Sequence, residues 1–313
     1  MADDTADRSA RPATDDAAAS AQRPDSRITV AVITRNRRES VLRTLDRLAA
    51  LPERPPVIVV DNDSSDATAA AVRSHPAGAR LLSPGQNTGA LGRNLAVRQA
   101  TTRYVAFSDD DSWWEPGALR AAADLLDGHP RLGLLAAHTL VGPGNAEDPL
   151  NALLADSPLP GEPDLPGRPV LGFLGCAAVV RRRAFLEAGG YHRVLFFGAE
   201  ETLLAYDLTA CGWGVSYEPS VIAHHHPAPG ERPGRSPVVR RNALLTDWLR
   251  RPLPVAFRRT AGLTADAARR KPGAATALRG TLVRLPAALK QRRPLPVRVE
   301  NAVRLLERET AER

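Results

Sequence analysis

The segment Tyr104–Asp111, with the sequence YVAFSDDD, decides the fold because a short apolar run ends abruptly in three consecutive carboxylates. Its β-prone residues predict a buried strand at 104–108. Side chains two apart in an extended chain point the same way, so Asp109 and Asp111 can share one hard cation while Asp110 faces elsewhere. The alternative is an acidic loop that caps the next helix. One aspartate would serve that purpose, so three favour a metal site.

The chain has 313 residues, 43% of them hydrophobic, which is enough to bury the core of one large or two small domains. No apolar stretch approaches the roughly 20 residues needed to cross a bilayer. Residues 1–26 are rich in Ala, Asp and Arg without an apolar core, so we expect a disordered leader and no signal peptide. Cys176 and Cys211 offer neither a disulfide framework nor metal-ligand spacing. These features predict a cytoplasmic enzyme.

The net charge of +7 is unevenly placed along the chain. Residues 231–313 contain 20 Lys/Arg and 7 Asp/Glu, whereas the remainder contains 22 and 28. A basic tail on a more acidic body indicates an anionic partner for the tail. We expect basic helices broken by prolines, of the kind that lie on anionic membrane surfaces. The alternative is a helical cap whose arginines face solvent. No recognition motif supports nucleic-acid binding.

Strand and helix patterns alternate through the first half of the chain. The predicted strands are 27–34, 57–60, 80–82 and 104–108, and helices are expected at 37–50, up to 74, 90–100 and 117–126. This alternation predicts an α/β fold with a mostly parallel sheet flanked by helices. Ligands bind such sheets at the carboxyl ends of the strands, where Asp61 and the three aspartates fall.

Further strands are expected at 132–140, 175–180 and 215–223, with helices at 183–188 and 200–211. Between the first two of these strands, residues 142–168 are rich in Pro, Gly and Asp. A loop of this length is typically functional, so we interpret it as a lid.

Eight segments, in this order, resemble family 2 glycosyltransferases of the GT-A fold, bacterial type. They are VITRNR (32–37), VDNDSSD (60–66), NTGALGRN (87–94), FSDDD (107–111), GCAAVVRR (175–182), GGY (189–191), GAEE (198–201) and GWGVSYEPSVIAHH (212–225). The resemblance implies a GT-A-like catalytic domain at 27–230, with a nucleotide-sugar half at 27–130 and an acceptor half at 131–230. Residues 231–313 would then form a basic helical extension.

The resemblance also implies a donor sugar activated by a nucleotide diphosphate, with Mg²⁺ or Mn²⁺ against its phosphates. The implied site residues are Asp61 at the base, Thr34 and Asn36 at the neighbouring strand end, Arg93 near the nucleotide, Asp110 at the ribose, and Asp109 with Asp111 at the metal.

Three of these assignments have simpler alternatives. Asp61 could end its strand in an Asx turn. Thr34 and Asn36 could serve the following helix, since Asn36 suits an N-cap. Arg93 could be a solvated helix residue.

The base implied by the resemblance is the second acid of a Glu-Asp pair, which is Glu200-Glu201 here, so Glu201 is the predicted base and Glu200 the alternative. Acids at a helix N-terminus are the structural alternative. Related enzymes carry a histidine at His224 near the metal, although His224 and His226 could belong to a surface cluster. In an extended segment His225 points the other way. Of Trp113 and Trp114, we expect one in the core and one in a pocket.

These features predict a metal-dependent, inverting glycosyltransferase of the hexosyltransferase type, acting by single displacement. The alternative is a catalytically inactive nucleotide-sugar-binding or membrane-surface module with the same fold. The expected partners are a nucleotide-diphosphate sugar and a glycan or lipid-linked acceptor of the cell envelope. Peripheral contact with the inner face of the membrane, through the basic tail, is left open.

Overall fold

The computed structural model of the chain describes residues 25–228 and 235–312. Within these ranges a ten-stranded sheet is flanked by helices, and further helices follow it. The predicted leader, residues 1–26, lies outside the described residues except for its last two positions. Asp25 is buried, and its backbone N–H donates to the carbonyl oxygen of Glu53.

The first half alternates strand and helix as predicted. Its elements are β1 (Ile28–Thr34), α1 (Arg38–Ala49), β2 (Val57–Asp61), α2 (Thr68–Ser74), β3 (Arg80–Leu82), α3 (Leu91–Gln99), β4 (Tyr104–Asp109), β5 (Ser112–Trp114) and α4 (Ala118–Gly128). Strands β3, β2, β1 and β4 are parallel neighbours in that order, which confirms the predicted parallel arrangement here. Every residue of β1 is buried, as expected for a parallel strand covered on both faces.

The second half changes the direction of the sheet. Its elements are β6 (Leu132–Val141), β7 (Ala146–Glu147), α5 (Pro149–Ala155), β8 (Arg168–Pro169), β9 (Ala178–Arg181), α6 (Arg182–Ala188), α7 (Glu200–Ala210) and β10 (Gly214–His225). Strand β9 runs antiparallel between β4 and β6, while β10 is parallel to β6. The sheet is therefore mixed. The sequence does not specify the direction of β9, because a short apolar strand can pair in either direction.

Residues 142–168 are not the irregular loop that their composition predicted, since they contain β7, α5 and the first residue of β8. Asp148 caps α5 by accepting a hydrogen bond from the N–H of Leu150 at 2.8 Å. Asn151 pairs with both the backbone N–H and the carbonyl of Thr139 on β6, at 3.0 and 2.8 Å. These bonds fix the segment to the sheet.

Apolar cores lie on both faces of the sheet. In β1, Val30 and Val32 belong to one core, whereas Ala31 and Ile33 belong to the other. This division follows from the two-residue repeat of a strand.

The predicted helical tail is confirmed, with α8 (Arg235–Arg250), α9 (Leu253–Ala268), α10 (Ala274–Lys290) and α11 (Val297–Glu312). A third core joins Leu245 of α8 to Leu203 of α7 and to Leu195 in the preceding loop. The tail is therefore packed against α7 and the loop that precedes it. In the described ranges, every helix is too short or too polar to span a bilayer.

Part of the tail's positive charge is used inside the protein. Arg250 donates to both carboxylate oxygens of Asp207 on α7, at 2.5 and 2.9 Å. Arg251 is 1% exposed and pairs with Glu300 at 2.7 Å and Glu307 at 2.5 Å. These two arginines thus face neither a membrane nor solvent.

Candidate active site

A cavity of about 250 Å³ opens at the carboxyl ends of β1 and β4. Thr34 lies opposite Asp61 across β1 and β2, and Ile33 lies opposite Asp109 across β1 and β4. Because parallel strands end on one edge of the sheet, motifs that are distant in sequence meet there. The walls come from these strand ends, the Gly-containing turn and one later loop: Ile33, Thr34, Arg35, Arg37, Asn62, Asn87, Gly89, Asp109, Asp110, Asp111, Phe196 and Phe197.

Thr34 and Asp110, both predicted to bind the donor, are in direct contact in the cavity wall. The hydroxyl of Thr34 donates to Oδ2 of Asp110 at 2.9 Å, and Nε of Arg37 lies 2.8 Å from Oδ1. Burial, opposed by the Arg37 guanidinium, raises the pKa of Asp110 to about 7. Asp110 is therefore a carboxylate that hydrogen-bonded and charged partners keep next to the cavity.

Arg37 also reaches the third aspartate. Its Nη2 lies 2.8 Å from Oδ2 of Asp111, while Nε2 of His225 lies 3.5 Å from Oδ1. One guanidinium thus spans Asp110 and Asp111. Arg37 supplies part of the positive charge that three adjacent carboxylates require.

This edge fits a divalent cation that takes its remaining ligands from phosphate and water. Asp109 and Asp111 line the same cavity, and carboxylate oxygens are the ligands that Mg²⁺ and Mn²⁺ prefer. Across residues 25–228 and 235–312, no three His, Cys, Asp or Glu side chains form a complete metal cage. An ion held partly by a substrate does not need one.

His224, expected beside the metal, faces away from Asp111. Its Nε2 lies 2.5 Å from Oε2 of Glu115, and its ring stacks on Trp113 with centroids 5.7 Å apart. The expected alternation holds, since His225 points to Asp111. The pairing of β10 with β5 sets His224 opposite Trp113 and so decides which face each histidine takes. The histidine that the geometry offers to a metal is His225.

The two tryptophans divide as predicted between core and pocket. Trp114 is fully buried, and Trp113 lines a second cavity of about 340 Å³. The guanidinium of Arg47 lies 5.4 Å from the centroid of the Trp113 ring. Because this ring already contacts Arg47 and His224, it offers less surface for stacking on a sugar than the sequence suggested.

Arg93, expected to contact the nucleotide, instead lies buried behind Asp109. It is 2% exposed, forms an ion pair with Asp109, and lies 5.6 Å from the centroid of the Tyr191 ring. Burial opposes its charge, but Asp109 and Tyr191 raise the pKa of Arg93 above its ordinary value. The side chain therefore supports the wall of the cavity from the interior.

Asp61, expected at the nucleotide base, forms the turn that the alternative interpretation described. It is 3% exposed and accepts hydrogen bonds from the hydroxyl of Ser64 and from its backbone N–H, the latter at 3.3 Å. Its neighbour Asn62 lines the cavity. At this strand end, the structure thus places Asn62 closer to an incoming nucleotide than the carboxylate.

Asn36 is not the helix cap that its position suggested. It has a φ of +53°, and its Oδ1 accepts from the N–H of Ser65 at 2.7 Å. Helix α1 begins at Arg38 with Arg37 as its N-cap residue. Asn36 therefore ties the loop after β1 to the loop after β2.

A strained loop closes the cavity from the acceptor side. The carbonyl oxygen of Phe196 accepts from the N–H of Ala90 at 2.8 Å, and a Cβ on Gly89 would lie 2.4 Å from that oxygen. Gly89 is required at this contact. Phe196 and Ala199 adopt left-handed φ values of 70° and 60°, which are costly for residues with a Cβ. The loop leads directly into α7.

The first two residues of α7 are the predicted acids, and they differ in environment. Glu200 is 2% exposed, and burial together with Glu201 raises its pKa to about 8. Glu201 is half-buried. A Cβ built on Gly175 would lie 2.8 Å from Oε1 of Glu201 and 3.4 Å from Nη2 of Arg93. Arg93 thus lies between Asp109 and the acid pair.

Arg37, His225 and the pair Phe196–Phe197 belong to this region although they were not predicted as site residues. Arg37 is the last residue of the VITRNR segment, three residues after β1 ends. Because β1 was expected to end on the same edge of the sheet as the three aspartates, a cation at this position could have been predicted to pair with them. The contact of His225 with Asp111 could not be predicted, because it depends on which face of β10 is turned toward the cavity. The two phenylalanines belong to no motif that we identified.

Comparison with known proteins identifies the family. A family model described as Glycosyl transferase family 2 matches residues 29–189. The chain belongs to this family. It is 30% identical over 236 residues to the N-acetylglucosaminyl-diphospho-decaprenol L-rhamnosyltransferase of Mycobacterium tuberculosis, covering 62% of this chain and 74% of that one. The predicted membership and the prediction of a glycosyltransferase are both confirmed.

Solved structures share the fold at lower identity. The chain is similar to a mannosyltransferase from Pyrobaculum calidifontis in complex with GDP-Man and Mn²⁺, with a TM-score of 0.57, 23% identity, and coverage of 91% of this chain and 80% of that one. It also resembles S. aureus TarS in complex with UDP-GlcNAc, with a TM-score of 0.59, 17% identity and coverage of 88% and 83%. These similarities confirm the GT-A fold, including most of the helical tail.

Proposed function

We propose that the chain transfers a sugar from a nucleotide-diphosphate donor to an acceptor hydroxyl with inversion, assisted by Mg²⁺ or Mn²⁺. The observation that carries the proposal is the position of Arg93. It pairs with Asp109 at the donor cavity and lies beside Glu201. The aspartates and the acid pair, 90 residues apart in sequence, therefore belong to one site.

The donor's nucleotide occupies the cavity at the ends of β1 and β4. Thr34 and Asp110 offer a hydroxyl and a carboxylate to the ribose, and Asn62 offers an amide near the base. Asp109 and Asp111 would hold the cation against the diphosphate, with His225 next to Asp111. When bound, such a cation neutralises the negative charge that the leaving diphosphate gains.

In the reaction, the acceptor oxygen bonds to the anomeric carbon while the bond from that carbon to the phosphate oxygen breaks. Glu201 accepts the proton of the acceptor hydroxyl, and the nucleoside diphosphate leaves with the bonding electrons. Glu200 is the poorer candidate because it is 2% exposed, so an acceptor hydroxyl has less access to it than to the half-buried Glu201. A single displacement of this kind inverts the anomeric centre.

The catalytic unit comprises residues 27–230, with donor binding in 27–130 and acceptor binding in 131–230. A lipid-linked acceptor of the cell envelope agrees with the name of the mycobacterial relative, which contains a diphospho-decaprenol. We place the enzyme in the cytoplasm, in peripheral contact with the membrane where such an acceptor is held.

The test is a panel of UDP-, GDP- and dTDP-sugars with and without Mn²⁺, read by thermal unfolding and by transfer. A cognate donor at 100 times its Kd should stabilise the protein by about 2.7 kcal/mol, and the effect should require the metal. Stabilisation without transfer to any acceptor would identify the inactive binding module instead. Absence of both responses would refute the proposed donor site.

A further inference from the structure

A further cavity of about 360 Å³, which we call the basic pocket, lies beside the loop that leads to the proposed catalytic acids. It is formed by Arg193 and Val194 from this loop and by Arg284, Ala287, Lys290 and Gln291 from α10 and its C-terminal end. Its lining contains three cationic side chains and no acidic one. It belongs to neither the donor cavity nor the cavity at Trp113.

The three cations of this basic pocket have no counter-charge in the described protein. Within residues 25–228 and 235–312, Arg193, Arg284 and Lys290 form no ion pair, whereas nearby Arg250 is paired with Asp207. Like charges in such proximity repel one another unless an anion lies between them. The pocket therefore has the charge that an anionic ligand requires.

The pKa values of His192 and Arg241, which lie near the basic pocket, are consistent with its excess of positive charge. Burial, with Arg250, Arg193 and Arg293 nearby, lowers the pKa of His192 to about 4. Burial and the adjacent Arg284 lower the pKa of Arg241. Two separate side chains that flank the pocket thus lie in a positive field.

The pocket is close to the reaction site along the chain. Arg193 precedes Phe196, which lines the donor cavity, by three residues, and three residues span at most about 11 Å. The same loop continues into Glu200 and Glu201. The basic pocket and the donor cavity are therefore neighbours along one loop.

One exposed apolar side chain adjoins the basic pocket on α10. Val283 is 71% exposed and lies one helical turn from Ala287 and two from Lys290, both in the pocket lining. A cationic pocket next to an exposed apolar side chain suits an amphiphile with an anionic head.

We propose that this pocket binds the diphosphate of a prenyl-diphosphate-linked sugar acceptor, with the prenyl chain leaving past Val283. The inference rests on the proposed function, and it assigns the acceptor class and the place of its head group. The diphosphate is held at Arg193, Arg284 and Lys290, so that the attached sugar lies toward Glu201. Arg284 and Lys290 act as acceptor-binding residues and take no part in proton transfer.

The binding test uses farnesyl diphosphate as the probe, titrated calorimetrically into the full chain with saturating UDP and Mn²⁺ to fill the donor site. The double variant Arg284→Gln/Lys290→Gln should bind the probe at least about tenfold more weakly, because it loses one or more charge-assisted hydrogen bonds to the diphosphate. The matched control is Arg269→Gln, which removes an exposed arginine after α9 outside the pocket and should change affinity less than twofold. Circular dichroism and the melting temperature confirm that the variants are folded.

Three results would overturn the inference: no uptake of farnesyl diphosphate, unchanged uptake by the double variant, or equal weakening in Arg269→Gln. Inorganic diphosphate binding as tightly as farnesyl diphosphate would refute the prenyl assignment. Failure of the proposed function looks different, because the UDP titration then shows no uptake while the pocket-dependent binding of farnesyl diphosphate persists.

Discussion

The assignment of the base can be tested with one pair of isosteric substitutions, Glu201→Gln and Glu200→Gln. Both replace a carboxylate by an amide of nearly the same shape at adjacent positions of α7. The two acids differ in burial, since Glu200 is 2% exposed whereas Glu201 is half-buried beside Gly175. The pair therefore separates loss of a base from general disturbance of the helix N-terminus.

The magnitudes follow from the environment of each acid. With a pKa of about 8, Glu200 is ionised in roughly a tenth of the molecules at pH 7. Its amide variant should keep kcat within about threefold of the parent, because the protonated acid is already neutral. Glu201→Gln removes the proposed proton acceptor and should lower kcat about 10²–10⁴-fold with donor KM unchanged.

The assay is steady-state transfer at pH 7 with the cognate donor, with donor binding measured separately by calorimetry. If Glu200→Gln abolished transfer while Glu201→Gln retained it, the roles would be reversed and the argument from burial would fail. Equal loss in both variants with weakened donor binding would show that the pair shapes the cavity.

Stability against pH gives an independent readout of Glu200. Its folded-state pKa is raised from 4.5 to about 8, so its contribution to stability is complete below pH 4.5 and is lost as the pH rises through 8. The total loss is on the order of 5 kcal/mol as an upper bound. Glu200→Gln should flatten this decline in the free energy of unfolding between pH 5 and 8. An unchanged profile would contradict the raised pKa.

Three further substitutions test separate parts of the site. Asp111→Ala should weaken Mn²⁺-dependent UDP binding by at least about 10–100-fold in calorimetry, and unchanged binding would exclude this carboxylate as a ligand. Gly175→Ala places a Cβ 2.8 Å from Oε1 of Glu201 and should lower kcat about 10–100-fold, whereas Gly144→Ala, whose Cβ meets open space, should not. Arg250→Met leaves the buried carboxylate of Asp207 on α7 unpaired. It should reduce the free energy of unfolding, measured by urea titration, by about 3–5 kcal/mol. A smaller loss would show that the ion pair between Arg250 and Asp207 does not fix the tail to α7.

Much of the donor half follows from local patterns in the sequence. Apolar runs that end in polar residues identified β1, β2 and β4, and parallel strands necessarily end on one edge of the sheet. Thr34, Asp109, Asp110 and Asp111 therefore meet in one cavity as expected. The direction of β9 did not follow, because its three apolar residues pack equally well in either orientation.

The errors at the site concern the face that a side chain presents. The alternation of the histidines was correct, but the pairing of β10 with β5 decided that His225 faces Asp111. Arg93 was expected to contact the nucleotide, yet its ion pair with Asp109 lies in the interior. Neither outcome depends on the residue's immediate neighbours in sequence.

By itself, the sequence determined the order of most strands and helices, the family, and the edge of the sheet that carries the aspartates, because these properties depend on local periodicity and on motifs. Tertiary structure alone decided that Arg37 spans two aspartates, that Glu200 and Glu201 lie near Arg93, and that the tail packs on α7. Each of these contacts joins segments far apart in the chain, so its geometry depends on how the whole fold closes.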